Sequence, residues 1–182
     1  MGRRAKFSED QILDAALAVT AEGGPGSATI GAIAGRLGAP SGSLYHRFGS
    51  RDLLMATLWT RTVRRFQRGF VAALAAGDAE GAALHTPRWC RAHPDETAVL
   101  LLYRRQDLAA AWPAELAGDL DALNAEVSDA LDSFPGAGRE RLAFATVDVP
   151  YGAVRRYLAA GRPPPSLVDD LVLATCRAVL SG

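Results

Sequence analysis

Between Thr29 and Arg51 the chain reads TIGAIAGRLGAPSGSLYHRFGSR, two short helical patterns separated by a tight turn. Ile30, Ile33, Ala34 and Leu37 recur at helical spacing, which gives the first helix a single apolar face to bury. Thr29 stands just before that run, where its hydroxyl can cap the helix N-terminus. Gly38 follows the last periodic residue, where a helix end calls for a left-handed residue. Pro40 restarts the chain as a favoured early-helix residue, and Ser43, Leu44, Tyr45, Arg47 and Phe48 complete the second helix. Two helices joined by so short a glycine turn form a helix-turn-helix, which sets its second helix in the DNA major groove. An ordinary helical hairpin shares the pattern, so the flanking sequence has to separate the two.

Upstream, Ser8-Glu9-Asp10-Gln11 is a capping-box pattern, with Phe7 and Ile12 placed as a hydrophobic staple. Ile12, Leu13, Ala16, Leu17 and Val19 form the stripe of a first helix that Gly23-Gly24-Pro25-Gly26 ends. Downstream, Ser50 is placed to cap a long helix from about Arg51 to about Ala76. Charge is divided in the same way. Net charge is zero overall. Residues 1–68 hold ten Lys/Arg and five Asp/Glu, a balance of +5, and residues 69–182 hold ten and fifteen, a balance of −5. A basic first third on an acidic remainder suits a DNA-binding head on a non-binding body. Arg3, Arg4 and Lys6 add a basic arm suited to a phosphate or minor-groove contact.

Leu44-Tyr45-His46-Arg47-Phe48 followed by Gly49-Ser50-Arg51-Asp52-Leu53-Leu54 resembles the recognition-helix ending and helix restart of the TetR family of bacterial transcriptional repressors. The first helix and the IAGRLG segment are similar as well, so the resemblance covers roughly residues 7 to 60. It implies that Ser41, Gly42, Ser43, Tyr45 and His46 occupy the groove-facing side, while Leu44 and Phe48 face inward. Tyr45 then suits a phosphate, and Ser41, Ser43, His46 and Arg47 suit base edges or nearby phosphates. Thr29 and Arg51 are placed for phosphates. Gly31 and Gly42 depart from the family pattern, carrying no side chain where many relatives place a long polar one. Pro40 stands where a capping residue is common.

Beyond the head, helices are expected over about 79–92, from Pro94, from Trp112-Pro113, over about 139–160, and from there to Leu180. The fold expected is all-α with about nine helices: an N-terminal three-helix DNA-binding domain over 1–50 and a C-terminal helical ligand-binding and dimerisation domain over 51–182. Arg61, Arg64, Arg65 and Arg68 are expected on the solvated face of the long helix. Pro150 should kink its helix and free the carbonyl of Thr146.

The last two helices carry Val147, Tyr151, Val154 and Leu158, then Leu167, Leu171, Ala174, Thr175 and Ala178. One such face can be buried in a monomer's own core. Two antiparallel helices with more apolar surface than one partner covers point to a four-helix interface between copies. The resemblance implies the same homodimer, with an interface of Val147, Tyr151, Val154, Leu158, Leu167, Leu171, Ala174 and Ala178. It also implies a small-molecule effector held among C-terminal helices, for which Phe66, Phe70, His85, Trp89, Tyr103, Trp112 and Asp148 are the candidates. Asp148 stands out because its flanks are apolar, and a carboxylate there is paired, at a rim, or anchoring a ligand.

No phosphate loop, two-His metal spacing or nucleophile elbow occurs, so neither an enzyme, a metal site nor a cofactor is expected. Cys90 and Cys176 fit free, buried thiols in a reducing cytoplasm. Apolar stretches break well before a membrane span, and MGRRAKFSED carries no secretory pattern. The function expected is a cytoplasmic, dimeric, sequence-specific DNA-binding repressor acting on double-stranded DNA at a palindromic operator. A small-molecule-binding protein of the same fold without a transcriptional role is the alternative.

Overall fold

The computed structural model of the protein describes residues 7–101 and 113–181. Its elements are α1 (Glu9–Gly23), α2 (Ile30–Leu37), α3 (Ser41–Phe48), α4 (Arg51–Ala75), α5 (Ala79–Ala92) and α6 (Pro94–Leu101). After these come α7 (Ala117–Asp132), α8 (Arg139–Ala143), a π-helical turn (Phe144–Asp148), α9 (Val149–Ala159) and α10 (Leu167–Ser181). Short 3-10 turns occupy Pro25–Ser27 and Ala114–Leu116. Counting Arg139 to Ala159 as one interrupted helix, the described residues hold nine α-helices and no strand. The all-α expectation holds.

The chain divides into two compact units, the described residues of Met1–Thr62 with Asp95–Asp119, and of Val63–Pro94 with Leu120–Gly182. In the first, α1, α2, α3 and the start of α4 enclose one core. Ile12, Leu13, Ile33, Leu44, Leu54 and Leu58 are all nearly or fully buried in it. Burying side chains of this size stabilises by roughly 1.5–3 kcal/mol each before chain entropy is counted. The helix ends match the punctuation in the sequence. Ser8 and Gln11 form the reciprocal capping box at 3.2 and 2.8 Å. Arg61 does not stand free on a solvated face: it bonds Asp14 at 2.8 Å and Asp10 at 3.5 Å, bracing α4 against α1. Arg64, Arg65 and Arg68 are exposed as expected.

The second unit has two apolar clusters. Phe70, Leu74, Ala82, Leu131 and Leu142 form one. In the other, Leu84 and Cys90 of α5 meet Val154 of α9 and Val168, Val172 and Cys176 of α10. Ion pairs fasten α5 to α10 at both ends: Arg91 donates to both oxygens of Asp169 at 2.8 and 2.6 Å, and Arg177 to those of Glu80 at 2.7 and 3.0 Å.

At Pro150 the helix widens. Proline has no N–H for the Thr146 carbonyl and its ring crowds that oxygen. The preceding N–H, that of Val149, reaches five residues back to the Phe144 carbonyl, which defines the π-turn. Thr146 turns its hydroxyl to the Leu142 carbonyl at 2.8 Å. The predicted proline defect is therefore present, accommodated as a π-turn.

Candidate nucleic-acid interface

The turn between α2 and α3 is built as its residue types require. Thr29 accepts a hydrogen bond from the Ala32 N–H at 3.1 Å and caps α2. Gly38 adopts the left-handed region, φ 63° and ψ 35°, and the Ala39 N–H returns to the Ala34 carbonyl at 2.9 Å. Pro40 contributes no capping side chain to α3. Its carbonyl instead takes both the Ser43 N–H at 3.0 Å and the Ser43 hydroxyl at 2.6 Å. Ser43 is thus tied to its own helix start, which weakens it as a reader of bases.

Leu44 and Phe48 are buried and fix the roll of α3 against the core. The opposite side presents Ser41, Gly42, Tyr45 and His46, with Tyr45 at 53% exposure. No atom lies within 4 Å of where a Cβ on Gly42 would be, and Gly31 meets only the Thr29 hydroxyl at 4.0 Å. These glycines are therefore not demanded by packing, and the face is open there. Two arginines of the expected set are engaged elsewhere. Arg47 reaches back to the Phe7 carbonyl at 3.5 Å and Glu9 at 3.9 Å. Arg51 donates through Nε to the Ala28 carbonyl at 2.7 Å and pairs with Asp52 at 3.5 Å. Each holds the head together, whatever further contact its exposed portion makes.

Of the ligand candidates, Phe66, His85 and Trp89 come together. Ring centroids lie 4.9 Å apart for Phe66 and His85, 5.7 Å for Phe66 and Trp89, and 6.0 Å for His85 and Trp89. His93, outside the expected ligand set, lies against Trp89 with ring centroids 4.0 Å apart. The recurrence of His85, Trp89 and His93 at every fourth position was the available signal. Phe70 is 4% exposed and belongs to the core beside Leu74 and Leu142, so its ring packs the unit. Asp148 is exposed, which removes the need for a buried partner. Tyr103 and Trp112 lie outside the described residues.

Val147, Tyr151, Leu167, Leu171, Ala174 and Ala178 are all exposed, with Leu167 at 60% and Leu171 at 55%. Phe144, absent from the expected set, joins them at 49% because the π-turn leaves it outside. Val154, expected among them, does not join them: it is fully enclosed within its own unit and has no surface to offer. Leu158 is half-buried beside the same core.

Residues 12–58 match the family model described as bacterial regulatory proteins, tetR family. That span runs from the first buried residue of α1 to the last α4 side chain of the head core. The head is that of the TetR family. The likeness in fold extends well beyond the head. A TetR-family member from Streptomyces coelicolor A3 superposes with a TM-score of 0.71 at 17% identity, over 98% of this chain and 99% of the other. A TetR family transcription regulator from Marinobacter aquaeolei VT8 gives 0.65 at 16%, over 94% of each. The multidrug binding protein EbrR, complexed with imidazole, gives 0.64 at 20%, over 99% and 94%. No curated protein sequence matches. The family match of the head and the TetR-type fold together support a DNA-binding regulator. Among the described residues no helix is long and apolar enough to cross a membrane.

Proposed function

We propose that the protein is a homodimeric, sequence-specific transcriptional repressor, released from a palindromic operator by a small-molecule effector. In this reading residues 1–50 bind DNA in the cytoplasm, and residues 51–182 dimerise and hold the effector. The observation that carries it is α3: Leu44 and Phe48 anchor one side, and Ser41, Gly42, Tyr45 and His46 stand clear on the other. Tyr45 and Thr29 contact phosphates, with the exposed part of Arg51 beside them. His46 and Ser41 approach base edges, and Gly42 permits close approach to the groove. Ser43 and Arg47 contribute mainly by holding α3 in place, so specificity leans on few side chains and on DNA shape.

The exposed apolar row on the π-turn, α9 and α10 supports the dimer, since a second copy would cover what water otherwise meets. A two-fold dimer sets half-sites about one helical turn or more apart. Phe66, His85 and Trp89 are the core of the effector site, with Phe70 as backing and Asp148 at its margin. The cluster's chemistry is apolar and aromatic, and the imidazole complex of the similar EbrR is in keeping with it.

Purified protein should retard a palindromic fragment, with affinity falling steeply as salt rises. Tyr45→Ala should weaken binding about tenfold, the effect of losing one charged-group hydrogen bond. Arg51→Ala is a poorer probe, because its Nε also holds the Ala28 carbonyl. If Tyr45→Ala combined with His46→Ala binds like the parent, α3 is not the reading helix. The inward hydroxyl of Ser43 and the bare Gly31 and Gly42 favour one rival, a small-molecule carrier with no transcriptional role. Enrichment of no discrete genomic site, beside tight ligand binding, would select that rival.

A further inference from the structure

We propose that His85 is a proton-operated clasp: its neutral ring closes α5 onto the second half of α4, and protonation releases it. The ring sits edge-on against the α4 backbone. Its Nε2 lies 2.6 Å from the Phe66 carbonyl oxygen. A carbonyl can only accept, so Nε2 carries a proton, and in the neutral ring Nδ1 is bare. The approach is close enough to require glycine at position 69. A Cβ there would lie 2.4 Å from His85 Cε1 and 2.9 Å from Nδ1. Any other residue would push the ring off the helix.

The surroundings favour the neutral ring. Phe66 and Trp89 flank it, tilted at 49° and 40°, and neither presents its face squarely to the imidazole. Two carboxylates of the packed helices are engaged with arginines rather than with the ring. Glu80 is taken by Arg177, and Asp169 by Arg88 and Arg91. Asp148, Arg155 and Arg156 are exposed, as are Arg64, Arg65 and Arg68 on α4. The group that acts on His85 by charge is His93, which opposes a second positive charge. Burial holds the imidazole below the ordinary histidine value of 6.5, the Phe66 hydrogen bond offsetting part of that effect. A proton on Nδ1 would face Gly69, which has no side chain to receive it.

Trp89 biases the clasp the same way. Its Nε1 is buried with no acceptor among the described residues, so opening hydrates an indole N–H at the moment it frees a charged imidazole. The neutral form stabilises the closed arrangement. That stabilisation is present above pH 6.5 and is lost as pH falls from 6.5 toward the depressed value of the closed state.

The test needs neither DNA nor an effector. Imidazole resonances of the free protein, followed by NMR from pH 8 to 5, should show His85 titrating below 6.5 with Nε2–H as the neutral tautomer. Gln at position 85 keeps a donor for the Phe66 carbonyl and cannot take a proton. Acidification from pH 7.5 to 5.5 should therefore lower the melting temperature of the wild type more than that of His85→Gln. By pH 5.5, one unit below the ordinary value, the excess should approach roughly 2–4 °C. Gly69→Ala should return His85 to ordinary titration. Titration at or above 6.5 in the wild type, or equal acid losses for wild type and His85→Gln, would overturn the clasp.

Discussion

Glycines in the head separate into those the backbone needs and those it does not. Gly38 holds φ 63°, where an L side chain is strained, whereas Gly35 is an exposed mid-helix residue of α2 with open space around it. Gly35→Ala should therefore stabilise the protein by about 0.5–1 kcal/mol, through helix propensity. Gly38→Ala should destabilise it by about 1–2 kcal/mol, the cost of a left-handed alanine. Chemical denaturation of both variants checks the opposite signs; equal shifts would mean the turn does not depend on the left-handed residue. The need for Gly38 was legible in the sequence because cap chemistry is local, and so was the capping box at Ser8. The destinations of Arg47, Arg51 and Arg61 were not. Each long side chain can reach solvent, phosphate or a neighbouring helix, and only packing decides. Ser43 is a related case: its hydroxyl finds a partner three residues back.

Helix boundaries followed the sequence closely where Pro, Gly and capping residues punctuate it, as at Ala79, Pro94 and Leu167. The interruption between α8 and α9 was signalled by Pro150, but its form depended on which carbonyl the Val149 N–H could reach. Which residues of a two-helix face turn outward was legible only in part. Val154 shares a helical stripe with Val147 and Tyr151, yet α5 and α10 enclose it, and no periodicity distinguishes a face covered from within from one left bare. The pairing of α5 with α10 rests on more than apolar contact. Asp169 receives Arg91 and Arg88 with its side chain only 18% exposed. Asp169→Asn should cost about 1–3 kcal/mol, since it strips a half-enclosed guanidinium of its charged acceptor. Urea unfolding would measure this; a loss no larger than that of a surface ion pair would mean the bridge is solvated in solution.

At the scale of the molecule, Leu171 is the sharpest probe of assembly. It is 55% exposed on α10, so a charge there is harmless to a monomer and ruinous in a packed four-helix interface. Leu171→Glu should leave the helical signal and melting behaviour of the subunit intact. Sedimentation should then report a monomer, and DNA retardation should fall with it. An unchanged sedimentation coefficient would place the dimer contact elsewhere. Both thiols are buried, and burial pushes that of Cys176 up. Thiol-reactive dyes should label the native protein slowly, at the rate of its opening.

Helix α3 has eight residues, of which only Leu44 and Phe48 enter the core. Ser41, Gly42, Tyr45 and His46 make no side-chain hydrogen bond to the described residues. Half of the helix can therefore change its chemistry while the head keeps folding. On the proposed reading of α3, selection on stability and selection on target choice act on separate letters of the same eight. A lineage carrying such a head could then drift to new operators one substitution at a time, without passing through an unfolded ancestor.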